Sequence, residues 1–218
     1  MALAYCLDFI ERSTSCELTN YAEYLSKHQP THYAQIHENS SWSCVHGVER
    51  WRSNCGCNTG GRSDWNQEWR KPLRESLDWL RNELTQIYFQ KGKEYFKDPE
   101  AARNDYIKII LKRNDETIKK FLKEYGVQDV DQSKILRLLE MQRHAMLMFT
   151  SCGWFFDEVS GIETTQIMQY ACRAMQLVSQ IAERDLEEEF LSRLSLAQSN
   201  IKAYGDATQV YKLSLIHI

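Results

Sequence analysis

Between Trp65 and Ile87 apolar side chains return every three or four residues, at Trp65, Trp69, Leu73, Leu77, Leu80, Leu84 and Ile87. That interval is the helical period, so the residues line one face of a long amphipathic helix, and such a face must be buried against other elements. Pro72 lies inside the stripe and either kinks the helix or marks its start. The same period recurs downstream. "KDPEAARNDYIKIIL" opens with Asp98 as N-cap and Pro99 at the first helical position. "NDETIKKFLKEYG" is a short helix stopped by Gly126, and "DQSKILRLLEMQRHAMLMF" is a longer amphipathic one. Ile167, Ala171, Ala174, Val178 and Ile181 begin a further helix, with a break near Asp185 before Leu186, Phe190, Leu194 and Ala197 resume the stripe. Only nine glycines and three prolines interrupt 218 residues. The reading is a mainly α chain, a bundle of about six helices without internal repeats.

The flanks differ from this pattern. Residues 3–28 read as two short helical pieces, the first with Leu3, Leu7 and Ile10 on one face. The second carries Leu18, Tyr21 and Leu25, with Thr19 as N-cap, and Pro30 ends it. Residues 32–38, "HYAQIHE", read as a short extended segment. Residues 39–64 have no sustained period and are rich in Ser, Asn, Cys, Gly and Trp, a long loop of the kind that is usually functional. The last residues, "VYKLSLIHI" (210–218), do not continue the preceding apolar stripe and are expected to stand outside the native fold. The expected organisation is therefore 1–38, a helical segment; 39–64, a Cys/His/Trp-rich loop; 65–209, the bundle; and 210–218, a foreign tail.

Composition excludes several classes. A net charge of −3 with acids interleaved among the arginines gives no basic track for nucleic acid. Apolar runs of a few residues cannot span a membrane, and "MALAYCLDFIERS" lacks the basic start of a signal peptide. Seven cysteines, an odd number, read as reduced thiols in a cytoplasmic setting.

Two groups of residues carry candidate chemistry. Cys44, His46, Cys55 and Cys57 are three thiols and an imidazole within one loop, the donor set that a tetrahedral zinc ion prefers. Their spacing argues the other way, because each pair is separated by one residue where structural zinc pairs leave two to four. The competing structural reading is a loop packed with small thiols around a hydrogen-bonded histidine. The second group is Trp42 and Trp51 in the loop, with Trp154, Asp157 and Glu158 in "TSCGWFFDEVSG". Indole faces stack on the C–H face of a pyranose and carboxylates bind its hydroxyls; the alternative is that Trp154 belongs to the core. Asp157 and Glu158 are neighbours, so their side chains diverge and cannot flank one glycosidic bond as acid and base. No catalytic residue is assigned. Phosphate loops, nucleophile elbows and helix-borne metalloprotease motifs are absent.

The stretches "LTNYAEYL", "NSSWSCVHGVERWRSNCGCNTGG", "WNQEWRKPLRESLDWLR" and "LLEMQRHAMLMFTSCGWFFDEVSGIETTQIMQYACRAMQL" together resemble the domain of unknown function numbered 3536. That domain typically follows a catalytic domain of glycoside hydrolase family 57, in proteins of the α-amylase or α-mannosidase type. The resemblance implies a partner barrel upstream in the same protein and an α-glucan or oligosaccharide as ligand. The chain itself would contribute cleft residues to a hydrolase or glucanotransferase, but no catalytic carboxylate. It also implies that Trp42, His46, Trp51, Trp154 and Asp157 line that cleft, with the adjacent Glu158 added on residue type. As an isolated piece the chain is expected to be inactive and to need no cofactor, the zinc just weighed excepted.

Overall fold

The computed structural model describes residues 1–215, which are mainly helical and contain no strand. They divide into two compact units, Met1–Glu38 and Asn39–Ile218. The first unit holds α1 (Ala2–Glu11) and α2 (Tyr21–Lys27), and no residue of either helix is buried. The N-cap of α2 is Asn20, one residue later than expected, because its side chain accepts a hydrogen bond from the Glu23 N–H. Residues 32–38 form no strand.

The second unit is the bundle, with nine α-helices among its described residues where about six were expected. The long stripe forms α3 (Arg70–Tyr95), and Pro72 sits in its first turn, where a missing N–H costs nothing. Asp98 caps α4 (Pro99–Asp105) through the Ala101 N–H, with Pro99 at the predicted place. The helix expected to continue breaks at Tyr106 and resumes as α5 (Ile107–Leu111). Asn114 caps α6 (Asp115–Tyr125), which Gly126 ends. Then come α7 (Gln132–Leu147), the single turn α8 (Cys152–Phe155) and α9 (Ile162–Ala182). Glu183 ends α9 in a left-handed conformation, which is the break expected near Asp185, and α10 (Glu187–Leu194) follows. Extra helix ends account for the higher count.

Helices α7 and α9 pack along each other, and α3 lies against both and against α10. The shared core is Leu73, Leu77, Leu80 and Leu84 of α3, Leu138 and Met141 of α7, and Met168, Ala171 and Val178 of α9. Each leucine so buried contributes roughly 1.5–3 kcal/mol. Close approach of α8 to α9 requires Gly153, since a Cβ there would stand 2.4 Å from Ile167 Cδ1. No helix among the described residues is long and apolar enough to cross a membrane.

The C-terminal segment corrects its expectation. Residues 207–215 form α11 (Ala207–Leu215), which packs on α9 and α10. Val210 and Tyr211 are buried in the common core, and the Tyr211 hydroxyl donates to Glu187 at 2.6 Å. The apolar residues of "VYKLSL" do not extend the previous stripe because a turn at residues 195–206 starts a new helix with a new face. The rest of the expected tail, 216–218, lies outside the described residues. Replacing Tyr211 by Ala should therefore destabilise the chain by about 3–5 kcal/mol, the cost of removing a core aromatic. Urea unfolding measures it; a change below about 0.5 kcal/mol, typical of surface positions, would place Tyr211 outside the fold.

Candidate metal centre

The loop at residues 39–64 brings its four candidate ligands together. One ligand atom from each of Cys44, His46, Cys55 and Cys57 lies within 4.8 Å of all the others. Cys44 Sγ is 3.8 Å from Cys55 Sγ and 3.8 Å from Cys57 Sγ, and Cys57 Sγ is 3.5 Å from His46 Nδ1. The one-residue gap that counted against a shared ion is bridged by Gly56, whose φ of +69° is a left-handed conformation. That turn lets Cys55 and Cys57 face the same point, and a side chain at position 56 would be strained there. Cys44 is buried, Cys55 and Cys57 are half-buried, and His46 is at the surface. All seven cysteines of the chain are free thiols.

Electrostatics distinguish the thiols. Burial would raise the pKa of Cys44, but the backbone N–H groups of Arg50 and His46, then the Cys57 and Cys55 thiols, outweigh it and bring the pKa down to about 7. Burial pushes the Cys55 thiol up. Cys44 is thus the thiol whose anion the fold favours, which is the form that binds a metal.

Hydrogen bonds fasten this loop to one segment of the bundle. A 3₁₀ turn, Glu49–Trp51, carries two of the fasteners. Arg50 Nη1 donates to Phe155 O at 2.7 Å, with its guanidinium 4.8 Å from the Phe155 ring centre, and Trp51 Nε1 donates to Ser151 O at 2.8 Å. Arg70, the first residue of α3, donates to Cys57 O at 2.6 Å and Phe156 O at 3.1 Å, and its Nη1 lies 4.0 Å from Cys55 Sγ. Burial, then the nearby Arg50 charge, lower the pKa of Arg70 from its ordinary value.

The residues expected to line a sugar cleft take different places. Trp154 is 1% exposed, stacked near Phe149, and its Nε1 donates to Arg70 O at 3.3 Å. Asp157 is buried and accepts from the Thr59 N–H at 2.9 Å and from Thr59 Oγ1 at 2.5 Å. Glu158, also buried, accepts from Ser199 Oγ at 2.5 Å and Asn200 N–H at 2.9 Å. These three therefore present no open face to a ligand: Trp154 is core, and the acids hold two loops. Trp51 is half-buried against the bundle. Trp42 alone stands free, 91% exposed with its ring 5.9 Å from Phe155, and His46 belongs to the thiol cluster.

A family model described as a domain of unknown function, DUF3536, matches residues 65–217. The chain belongs to that family. No curated protein and no solved structure matches it. The DUF3536 match takes in the bundle, Arg70 and the 151–158 segment, and it includes α11, whereas the Cys/His loop lies before its first residue. The sequence reading assigned Asp157 to a sugar cleft and not to holding Thr59 of the loop. It gave Arg70 of the DUF3536 bundle no role, and Thr59 and Asn200 carried no signal. One sign was legible: Arg70 follows Trp69 and precedes Leu73 in the apolar stripe, an inward place for a cation.

Asp157→Ala removes a buried carboxylate that accepts both Thr59 donors. The expected loss is about 1.5–3 kcal/mol, the range for hydrogen bonds to a charged group. Hydrogen exchange should show the Thr59 amide losing its protection. An unchanged Thr59 amide and unchanged stability would remove Asp157 from its loop-holding role.

Proposed function

We propose that this chain is a non-catalytic helical module whose loop at 39–64 is organised by one zinc ion, bound by Cys44, His46, Cys55 and Cys57. The observation that carries this is the set of distances between ligand atoms. Two thiolates, each 2.3 Å from a tetrahedral ion, lie about 3.8 Å apart, and a thiolate and an imidazole nitrogen lie about 3.5 Å apart. The loop has 3.8, 3.8 and 3.5 Å at the corresponding edges. Four protein ligands leave no open position for substrate or water, which fits a structural site rather than a catalytic one. His46 would bind through Nδ1, the nitrogen that faces Cys57.

Elemental analysis of tag-free protein prepared under reducing conditions should find about one zinc per chain; less than about a tenth of an equivalent would sink the reading, because structural sites bind tightly. The ligands must lose protons to bind, so affinity falls as pH falls. Cys55, pushed up by burial, must lose a proton to bind at any pH near neutral or below, and Cys44 must do so as well below about 7. Affinity should therefore fall by about tenfold or more per pH unit, most steeply where both thiols take up a proton. A zinc competition titration from pH 8 to pH 5 checks the slope, and a flat profile would argue against thiolate ligation.

A second reading, the helical part of a family 57-like α-glucan enzyme, is supported by one feature. The freely exposed indole of Trp42, beside Phe155, offers an apolar platform of the kind on which a pyranose face stacks. On this reading the chain alone hydrolyses no maltooligosaccharide, but these sugars quench its tryptophan fluorescence, and Trp42→Ala abolishes the response. Quenching that survives in Trp42→Ala, or none with any glucan tested, would remove Trp42 from sugar binding.

A further inference from the structure

We infer that Arg70 is the counter-charge of the metal centre, an assignment that rests on the zinc reading above. Arg70 is fully buried, 0% exposed. Among the described residues it forms no ion pair with a carboxylate; its hydrogen bonds go to Cys57 O and Phe156 O, and its charged neighbours are Arg50, Cys55, Asp157 and Cys57. Arg50 is likewise buried, 4% exposed, and donates to Phe155 O. Two guanidinium groups in one buried region are costly unless negative charge accompanies them. Asp157 supplies one such charge, but it accepts from Thr59 rather than from either guanidinium. Three thiolates around a divalent ion supply a further net negative charge, and it lies where the Arg70 guanidinium points.

The position of Arg70 suits that role. Its backbone is fixed at the start of α3 between Trp69 and Leu73, and its carbonyl accepts from Trp154 Nε1. Its Nη1 reaches both the Cys57 carbonyl at 2.6 Å and, at 4.0 Å, the Cys55 sulfur. It therefore bears on two ligating residues without itself binding the ion. Groups that hydrogen-bond to metal ligands tune both affinity and ligand electronics.

The test uses the full chain, with zinc affinity from chelator competition and the thiolate-to-metal charge-transfer band of the cobalt(II)-loaded protein. Arg70→Gln should weaken zinc binding about 10–100-fold. It should also move the cobalt band to lower energy, because thiolates without a facing cation give up an electron more readily. Arg70→Lys keeps the charge and should bind zinc within about threefold of wild type, with the band nearly restored. Unchanged affinity and an unchanged band in Arg70→Gln would overturn the assignment while leaving the zinc site standing. If Arg70→Gln does not fold, Arg70→Lys decides: a loss above about tenfold would show that the forked hydrogen bonds, not the charge, are what matter. A wild-type chain that takes up neither zinc nor cobalt overturns the metal reading and this assignment together.

Discussion

The buried guanidinium of Arg70 is the contact on which the candidate site depends. A cation without solvent is costly unless its donors are used and its charge is answered. Arg70 Nε has no hydrogen-bond partner among the described residues, so the burden falls on its Nη atoms and on nearby charge. Arg70 spends its donors on main-chain carbonyls of two different segments, Cys57 of the loop and Phe156 of the bundle. Its own carbonyl holds the indole of Trp154. Helix α3 sets all of this in place: Trp69 and Leu73 turn the first helical turn inward, so Arg70 enters the interior whether or not a charge is welcome there. The loop and the aromatic segment are the surroundings that make the position tolerable.

The segment "TSCGWFFDEVSG" is the other half of that joint. Its aromatics and acids face different neighbours. Trp154 closes the core, and Gly153 lets the turn sit against Ile167, with Thr164 Oγ1 donating to the Gly153 carbonyl at 2.7 Å. Carbonyls in and around the short helix α8 become acceptors: Ser151, which also takes the Trp154 N–H, for Trp51, Phe155 for Arg50, Phe156 for Arg70. This is how a single helical turn satisfies main-chain groups that a longer helix would satisfy internally. The divergence of adjacent side chains, which rules out a paired acid and base, is what allows Asp157 to hold Thr59 and Glu158 to hold Asn200.

Much of the bundle was legible because burial in helices leaves a period. The faces of α3, α7, α9 and α10, the cap at Asp98 and the break after α9 followed from it. Helix count and the fate of residues 210–215 did not, because breaks at Tyr106 and at residues 195–206 are made by tertiary packing and reset the period. At the site, residue types named the four-residue cluster, while spacing argued against it. The spacing rule assumes ordinary backbone between ligands, and Gly56 takes a conformation outside that assumption. Trp154 was ambiguous by composition since a buried indole and a sugar platform have the same chemistry; only its neighbours separate them. Arg50, Arg70, Thr59 and Asn200 act across sequence separations that no local pattern records.

The loop at 39–64 has little with which to fold by itself. Of its residues only Cys44 and Arg50 are buried, and neither contributes much apolar area. Its side-chain bonds to the bundle are few, those of Trp51, Arg50, Arg70 and Thr59. An ion held by four side chains would cross-link the loop to itself, as structural zinc does in small domains. On the zinc reading, ordering of the loop and closure of the cluster are one event. The bundle, which carries its own apolar core, does not share this dependence. On that reading, metal loss should release the loop and its grip on residues 151–157 while the packing of α7 against α9 persists, leaving one self-sufficient part and one conditional on the ion.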